Sequence, residues 1–361
     1  MFYRWIIRPI FFKTDPEWIH NLAIKFLKYT SENNFLRKIL KRIFFVNDPR
    51  LKVKIGNLEF ENPIGLAAGF DKNIEAPLAY SMMGFGFVEF GSVTFRGQPG
   101  NPKPRLWRLP KDKSLIVYYG LCNNGAAKAR RRLKDIKNKM DIPFGVSIAP
   151  TTDVPKEYMV SDYVNSFYEL YKYADYITLN VSCPNVAACN IFEQISFIKE
   201  LLERVKLIRE KKEIKKDIFI KIGPDMGTEN LDKIIDMCLE YEITGIIATN
   251  LLKDRNDLES NSGPDELKHP GGLSGKILEN KSNDTISYIR KKAGTKLAII
   301  GVGGIFTAED AYKKIKSGAD VVQLVTGFVY GGPFVIRKIN KDFVKIKRLI
   351  YCCKKKDINN N

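Results

Sequence analysis

Histidine is scarce in this chain of 361 residues, which contains only His20 and His269. The six cysteines show no regular spacing and form no Cys-x-x-Cys pair. This pattern argues against a structural zinc site and against the disulfide framework of a small secreted protein. A cysteine–histidine nucleophile is also weakly supported, because no histidine lies close to a cysteine in the sequence. We therefore predict a functional site without metal.

Long apolar segments are missing as well. No run approaches the roughly 20 residues that a transmembrane helix needs. The N-terminus also lacks the apolar run and small-residue cleavage site of a signal peptide. We expect a protein that is soluble or lies on a membrane without crossing it.

Acidic residues are outnumbered, with 41 Asp and Glu against 59 Lys and Arg and a net charge of +18. Residues 1–50 hold ten basic and four acidic residues, and residues 337–361 hold nine and two. A third basic cluster spans residues 128–134. Such a surface suits anionic lipid, nucleic acid or anionic substrates, although a lysine-rich solvated surface explains the charge equally well.

Residues 1–45 carry a helical pattern. Asp15 followed by Pro16 is typical of a helix start, and apolar residues recur at helical spacing from Trp18 onwards. Asn34 opens a second helical run, with an apolar face opposite a basic face. A helix pair of this kind suits a membrane interface, but it would also suit packing against the domain that follows.

Beyond residue 50, short apolar runs alternate with helical segments. A hairpin is predicted first, with strands at 51–55 and 58–60 around Gly56-Asn57. Buried-type strands separated by helices indicate a parallel sheet, either a closed (β/α)₈ barrel or a doubly wound sheet. The eight predicted strands are 63–67, 87–91, 144–148, 176–179, 218–222, 245–248, 297–301 and 321–325.

In a barrel, active-site groups lie just after the carboxyl ends of the strands. Polar residues and glycines follow most of the predicted strands, and the glycines after the last two suit a phosphate. The candidates are Ala68, Gly69, Lys72, Ser92, Thr94, the loop 180–185, Lys221, Thr249, Asn250, Gly303, Gly304, Thr326 and Gly327.

Two residues indicate the chemistry. Cys183 would act as a nucleophile or as a general acid or base, with Asn180 and Asn185 nearby to hold a planar heterocycle. A lone buried cysteine would instead be a small hydrophobic residue. Lys221 lies in an apolar strand and needs a partner, such as a flavin that gains negative charge when reduced. Otherwise its ammonium group would have to reach water.

Several motifs, in order along the chain, resemble those of dihydroorotate dehydrogenases. The N-terminal residues 13–20 are similar to the extension of the membrane-associated, quinone-dependent class. The resemblance therefore covers nearly the whole chain. The matching barrel segments are 65–73, 84–94, 100–110, 249–250, 271–275 and 300–305.

The resemblance implies an α/β protein, with a helical membrane and quinone-tunnel extension at residues 1–50 and an FMN-binding (β/α)₈ TIM barrel at 51–361. It implies oxidation of dihydroorotate to orotate in pyrimidine biosynthesis, with a quinone as electron acceptor and Cys183 as base. Contacts to FMN are expected at Ala68, Ser92, Ser147, Asn180, Lys221, Thr249, Gly275, Gly304 and Thr326. Contacts to substrate are expected at Lys72, Asn123, Asn180, Asn185 and Asn250.

The same resemblance implies peripheral membrane attachment through residues 1–45. We expect the cytoplasmic face of a bacterial inner membrane, with the mitochondrial inner membrane as the alternative. A nucleic-acid partner is not expected, because no RNA-binding domain follows the barrel.

The chain also departs from the family pattern. Cys183 stands where the quinone-dependent class has serine, and Val117 and Leu251 replace polar substrate ligands. Ser147 replaces an FMN-binding asparagine, and Val325 replaces a tyrosine near the phosphate. Three alternatives follow: an FMN oxidoreductase for another small substrate, a dihydrouridine synthase-like enzyme acting on tRNA, or an impaired flavin-binding homologue.

Overall fold

The chain opens with helices in this computed structural model, which describes residues 3–182, 191–255 and 268–359. A π-helical turn at Tyr3–Ile7 leads into α1 (Arg8–Phe12), α2 (Pro16–Glu32) and α3 (Asn34–Phe44). The Asp15 carboxylate accepts a hydrogen bond from the Trp18 backbone N at 2.7 Å, and the Asn33 side chain caps α3. Both predicted helix starts are confirmed.

Strands and helices then alternate along the chain. The strands are β1 (Val53–Ile55), β2 (Leu58–Phe60), β3 (Ile64–Leu66), β4 (Phe87–Val93), β5 (Leu106–Leu109), β6 (Ser114–Val117), β7 (Phe144–Ile148), β8 (Tyr176–Asn180), β9 (Asp217–Ile222), β10 (Gly245–Ala248), β11 (Gly272–Gly275), β12 (Ala298–Val302) and β13 (Val321–Leu324).

None of the helices in the described ranges is both long and apolar enough to cross a membrane.

The remaining helices alternate with the strands or come after the last strand. These helices are α4 (Ala79–Met82), α5 (Ala126–Ile136), α6 (Met159–Leu170), α7 (Ile191–Lys211), α8 (Thr228–Glu240), α9 (Glu279–Ala293), α10 (Ala308–Lys316), α11 (Thr326–Gly331) and α12 (Val335–Asn359).

Eight strands close into a barrel in the order β10-β12-β13-β3-β4-β7-β8-β9. Every neighbouring pair is parallel, and Asn180 on β8 lies opposite Lys221 on β9. These are the eight strands that the sequence predicts, so the (β/α)₈ barrel is confirmed and the open doubly wound sheet is wrong. The apolar runs are continuous because helices cover the outside of the barrel and side chains fill its interior.

The β1–β2 hairpin closes one end of the barrel. It turns at Gly56, whose φ of +54° lies in the left-handed region that favours glycine. Hairpin residue Phe60 packs in one apolar cluster with Phe87, Tyr176 and Phe219, which lie near the starts of their strands. The predicted hairpin is confirmed, and the carboxyl ends of the strands form the open end.

A small antiparallel sheet in the order β11-β6-β5 lies beside the open end. The sequence carries no clear pattern that predicts this sheet. Each strand is only four residues long, and Gly272 pairs with Val117 across a large sequence separation. Short periodic patterns and distant pairings leave little local signal.

Candidate active site

A cavity of about 870 Å³ begins at the carboxyl ends of the barrel strands and extends between α2 and α3. We call its first part the barrel mouth, where Asn180, Lys221 and Thr249 lie. We call its second part the channel, which the extension lines mainly with apolar side chains: Ile7, Phe11, Ile19, Leu22, Ala23, Phe26, Leu27, Leu40 and Phe44.

Most of the predicted site residues lie on the wall of this cavity. The exceptions are Thr94, Asn123, Ser147 and residues 181–182, which do not line it, and residues 183–185, including Cys183 and Asn185, which fall outside the described residues. The lining residues are Ala68, Gly69, Lys72, Ser92, Asn180, Lys221, Thr249, Asn250, Gly275, Gly303, Gly304, Thr326 and Gly327.

Hydrogen bonds connect the polar side chains of the barrel mouth. The Asn180 amide donates to the Ser92 hydroxyl at 2.9 Å, and the Asn180 carbonyl oxygen accepts from the Asn250 amide at 3.2 Å. Behind Ser92, the Ser147 hydroxyl lies 2.8 Å away. The Asn250 amide also donates to the Ser182 backbone carbonyl at 3.1 Å. The network therefore fixes both asparagines and places Ser147 one contact behind the cavity wall.

Asn123 uses its side chain within its own loop. Its carbonyl oxygen accepts from the backbone N atoms of Thr94 and Gly125 at 3.2 and 2.8 Å. Its amide donates to the Thr94 hydroxyl and the Leu121 carbonyl, both at 2.8 Å. Its role as a substrate ligand stays a prediction, and the structure does not bring it to the cavity.

Lys221 lies on the cavity wall with only 5% of its surface exposed. Inside the barrel near it, the Glu89 carboxylate accepts from Thr178, Gln323 and Tyr176 at 3.0, 3.3 and 3.5 Å. Burial raises the pKa of Glu89, and the positive charge of Lys221 opposes that rise. Sequence analysis missed Glu89, although a charged residue in an apolar strand is the same signal that singled out Lys221.

The barrel mouth has features that suit a bound phosphate and a planar ring. Gly275 and Gly304 have φ values of +123° and +75°, and a Cβ at Gly304 would lie 2.5 Å from Glu279 Cα. These glycines therefore let protein segments pack closely at the barrel mouth, and both residues line the cavity. Thr326 shares a hydrogen bond of 2.7 Å with Ser274 beside these glycines. Within the described residues, the buried Thr249 hydroxyl has no partner, which leaves it for a ligand.

Lys72 lies where the barrel mouth meets the channel. Its ammonium nitrogen lies 3.7 Å from the centroid of the Tyr119 ring. Burial lowers the pKa of Lys72, although the nearby Glu17 carboxylate favours its charged form. The preceding Asp71 accepts from the backbone N atoms of Glu75 and Ala76 and from the Tyr80 hydroxyl, which fixes this loop.

His20 and Arg108 are among the polar side chains on the mainly apolar wall of the channel. Burial, with repulsion from Lys72, lowers the pKa of His20 to about 3, so its imidazole is neutral near pH 7. Arg108 donates to the Thr14 carbonyl at 2.7 Å and lies over the Phe12 ring at 4.8 Å. The sequence analysis did not single out either residue for this part of the cavity.

Comparisons with known proteins agree with this architecture. The family described as dihydroorotate dehydrogenase matches residues 50–346. A dihydroorotate dehydrogenase (quinone) of Gloeobacter violaceus is 40% identical over 334 residues, covering 92% of each chain. The protein of that name from Christiangramia forsetii is 40% identical over 343 residues, covering 95% of this chain and 99% of its own.

Solved structures show the same likeness. A crystal structure of DHODH from Eimeria tenella in complex with ferulenol superposes with a TM-score of 0.84 at 31% identity. It covers 94% of this chain and 93% of that one. With the barrel, the cavity and these matches together, the chain belongs to the quinone class of the dihydroorotate dehydrogenase family of oxidoreductases.

Proposed function

We propose that this protein oxidises dihydroorotate to orotate with FMN at the barrel mouth and passes the electrons to a quinone in the channel. The observation that carries this proposal is the single cavity that joins a polar barrel mouth to an apolar channel. A polar cofactor and substrate and an apolar acceptor would share one continuous space there. The names of the relatives support the choice of dihydroorotate and a quinone.

When bound, FMN accepts a hydride from the substrate and later gives up two electrons to the acceptor. The residues present fit such a group. Lys221 supplies a fixed positive charge close to where a reduced ring needs it. The Thr249 hydroxyl would serve the ring edge, and the backbone N–H groups of Gly275 and Gly304 with the Thr326 hydroxyl would be donors for the phosphate.

Lys72, Asn180 and Asn250 would bind the substrate. Lys72 is one of the cations on the cavity wall and would meet an anionic carboxylate, and the two amides are held in place by their mutual hydrogen bond. Their fixed geometry would orient the ring for hydride loss from its C6 atom.

The Sγ atom of Cys183 would take the proton from C5 of the substrate. Cys183 lies outside the described residues, but Ser182 before it is anchored at the barrel mouth. The Ser182 hydroxyl donates to the Lys221 carbonyl at 3.0 Å. Because a thiol has a reference pKa of about 8.5 and a serine hydroxyl is a far weaker acid, Cys183→Ser should shift the pH profile of flavin reduction. An unchanged profile would argue against this base.

Anaerobic mixing of the flavin-loaded protein with dihydroorotate is the central test. Bleaching of the flavin absorbance, followed by its recovery on adding a quinone, is the expected result. Intact bound flavin that dihydroorotate does not bleach would refute the proposed substrate. Protein that cannot be loaded with FMN would refute the cofactor.

A second candidate is an FMN oxidoreductase that acts on another small cyclic compound. The observation that favours it is the apolar character of Val117, Leu251 and Val325, all of which line the cavity. Each hydrogen bond lost to a charged ligand group weakens binding by roughly 1.5–3 kcal/mol. Bleaching by a less polar ring compound at concentrations where dihydroorotate fails would select this candidate.

We also infer that residues 1–45 attach the protein to the cytoplasmic face of a bacterial inner membrane. Basic residues such as Lys38 and Arg42 accompany exposed apolar side chains, which suits a membrane interface. Replacing Trp5 and Phe35 by serine should reduce co-sedimentation with anionic vesicles, and unchanged binding would contradict the inference. The exposed apolar residues of the extension are Trp5, Ile6, Ile10, Trp18, Leu22, Phe26, Tyr29, Phe35 and Ile43.

A further inference from the structure

Tyr119 lines the cavity, and its buried hydroxyl has no hydrogen-bond partner among the described residues. Tyr119 follows β6 by two residues, and only 9% of its surface is exposed. A buried phenol without a partner loses the hydrogen bonds that water would give it, and such groups are rare in folded proteins. The proposed cofactor would account for the comparable Thr249 hydroxyl at the barrel mouth, but it is not assigned a contact with Tyr119.

Two cations lie close to the Tyr119 ring. The Lys72 ammonium lies 3.7 Å from the ring centroid, and the Arg105 guanidinium carbon lies 5.3 Å from it. Arg105 is itself fixed, because it donates to the Glu17 carboxylate at 2.8 and 3.2 Å and to the Pro99 carbonyl at 2.6 Å. The ring therefore has little freedom to turn its hydroxyl towards solvent.

Charged groups at the start of α2, a helix that lines the channel, act on Tyr119. The charges that act on Tyr119 include Glu17 in α2 and Asp15 at the start of that helix, and Tyr119 in turn acts on Arg108. Burial raises the pKa of Tyr119 above its usual value, with a further contribution from Glu17. The phenol therefore keeps its proton at neutral pH and can donate it in a hydrogen bond.

Two neighbouring tyrosines differ from Tyr119 in this respect. The Tyr3 hydroxyl donates to the Val329 carbonyl at 2.7 Å, and the Tyr330 hydroxyl donates to the Ser114 carbonyl at 2.8 Å. Both phenols act on Arg108 electrostatically, as Tyr119 does, but their hydroxyls are satisfied by the backbone. Only the Tyr119 hydroxyl, of these three, is left for a ligand.

We propose that the Tyr119 hydroxyl donates a hydrogen bond to a carbonyl oxygen of the quinone acceptor. This inference rests on the proposed function and assigns one binding contact within it. A quinone carbonyl oxygen suits this position, because the phenol is a neutral donor and the channel beside it is lined mainly with apolar side chains. The phenol keeps its proton throughout and acts as a donor only.

The test compares Tyr119→Phe with Tyr330→Phe in the FMN-loaded protein. The probe is a decyl-substituted benzoquinone. Loss of one neutral hydrogen bond should raise its KM and its dissociation constant from the oxidised protein roughly 2- to 10-fold in Tyr119→Phe. Tyr330→Phe removes a satisfied buried hydroxyl outside the cavity wall, so it should leave both constants unchanged and lower the unfolding temperature.

The stability readout separates a binding role from a structural one. Tyr119→Phe removes a hydroxyl without a partner, so its unfolding temperature should stay the same or rise. Equal quinone affinity in wild type and Tyr119→Phe would overturn the proposal, because the hydroxyl would then make no hydrogen bond to the quinone. A similar loss of affinity in both variants would overturn it as well.

Ferricyanide provides a matched acceptor without a carbonyl group. The rate of ferricyanide reduction should be the same in Tyr119→Phe and wild type. If Tyr119→Phe reduced ferricyanide and the quinone with an equal loss of rate, a specific contact to the carbonyl group would be refuted. Failure of dihydroorotate to bleach the wild-type flavin would refute the proposed function only. The binding measurement on the oxidised protein would still decide the role of Tyr119.

Discussion

The barrel mouth and the channel form one cavity but are built in different ways. The barrel mouth gathers side chains from strand ends spread along the chain, and hydrogen bonds join Ser92, Asn180 and Asn250 across it. The channel is lined largely by two consecutive helices, α2 and α3, and is mostly apolar. Because the two regions are built from different elements, substitutions at the barrel mouth should affect mainly flavin reduction. Substitutions in the channel should affect mainly flavin reoxidation by the quinone.

The largest expected effect comes from removing the extension. Deleting residues 1–45 takes away most of the channel wall but none of the barrel strands. Quinone reduction should be lost, whereas bleaching of the flavin by dihydroorotate should persist. Stopped-flow measurement of the two half-reactions checks this, and an equal loss of both would contradict the comparison.

A single substitution in the channel tests the same prediction even if the truncated chain does not fold. Ala23 lines the channel on α2, so Ala23→Trp should fill the space that an apolar acceptor needs. The quinone KM should rise while the rate of flavin reduction stays close to wild type. Leu239→Trp, at an exposed position on α8, is the matched control and should change neither constant.

A second large effect is expected at the barrel mouth. Lys221→Met removes the cation that would offset negative charge on a reduced ring. Flavin reduction should slow by about 10²- to 10³-fold, the range seen when one electrostatic contact to a transition state is lost. Flavin content and the reduction potential of the bound flavin provide independent measurements.

The substitution Glu89→Gln provides a control for the stability of the Lys221→Met variant. Removing Lys221 leaves the buried Glu89 carboxylate without its nearby positive charge, so Lys221→Met should also be less stable. Adding Glu89→Gln should restore much of that stability but not the rate. Recovery of the rate in the double variant would show that Lys221 acts only through the fold.

A smaller effect is expected from Asn250. Asn250→Ala removes its hydrogen bonds to Asn180 and Ser182 and frees both groups to move. We expect roughly 10- to 100-fold lower kcat/KM for dihydroorotate, equivalent to about 1.4–3 kcal/mol of lost stabilisation. The quinone KM should not change, and a larger effect on the quinone would break the assignment of Asn250 to the barrel mouth.

The sequence predicts the barrel well, and the reason is physical. Each strand is buried on both faces, so its apolar run stands out between amphipathic helices, and all eight strands were found. The caps at Asp15 and Asn33 show equally local chemistry. Because barrel geometry places strand ends together, most candidate site residues follow directly from the strands.

What the sequence could not supply depends on contacts between distant segments. The pairing of β6 with β11 joins segments far apart in the chain, and its strands are too short to reveal a period. The roles of Glu89 and Tyr119 can be recognised only from their neighbours in the fold. The neighbour of Glu89 is Lys221, and those of Tyr119 are Lys72 and Arg105. Asn123 shows the converse, since a motif position predicted a ligand and the fold uses its amide internally.

The smallest expected effect concerns His20 and the dryness of the channel. The folded protein lowers its pKa from 6.5 to about 3, so folding favours the neutral imidazole. This contribution to stability is present above pH 6.5 and is lost as the pH falls towards 3, because the unfolded chain then binds the proton more readily. The unfolding temperature of wild type should therefore drop by about 2–5 °C more than that of His20→Gln between pH 8 and pH 4.5. His269→Gln, on the loop beside Trp107, is the control for a histidine outside the channel. If the unfolding temperatures of wild type and His20→Gln changed with pH in parallel, water would have to reach the His20 imidazole. The channel would then be more hydrated than its apolar side chains indicate, and the contrast with the polar barrel mouth would be weaker.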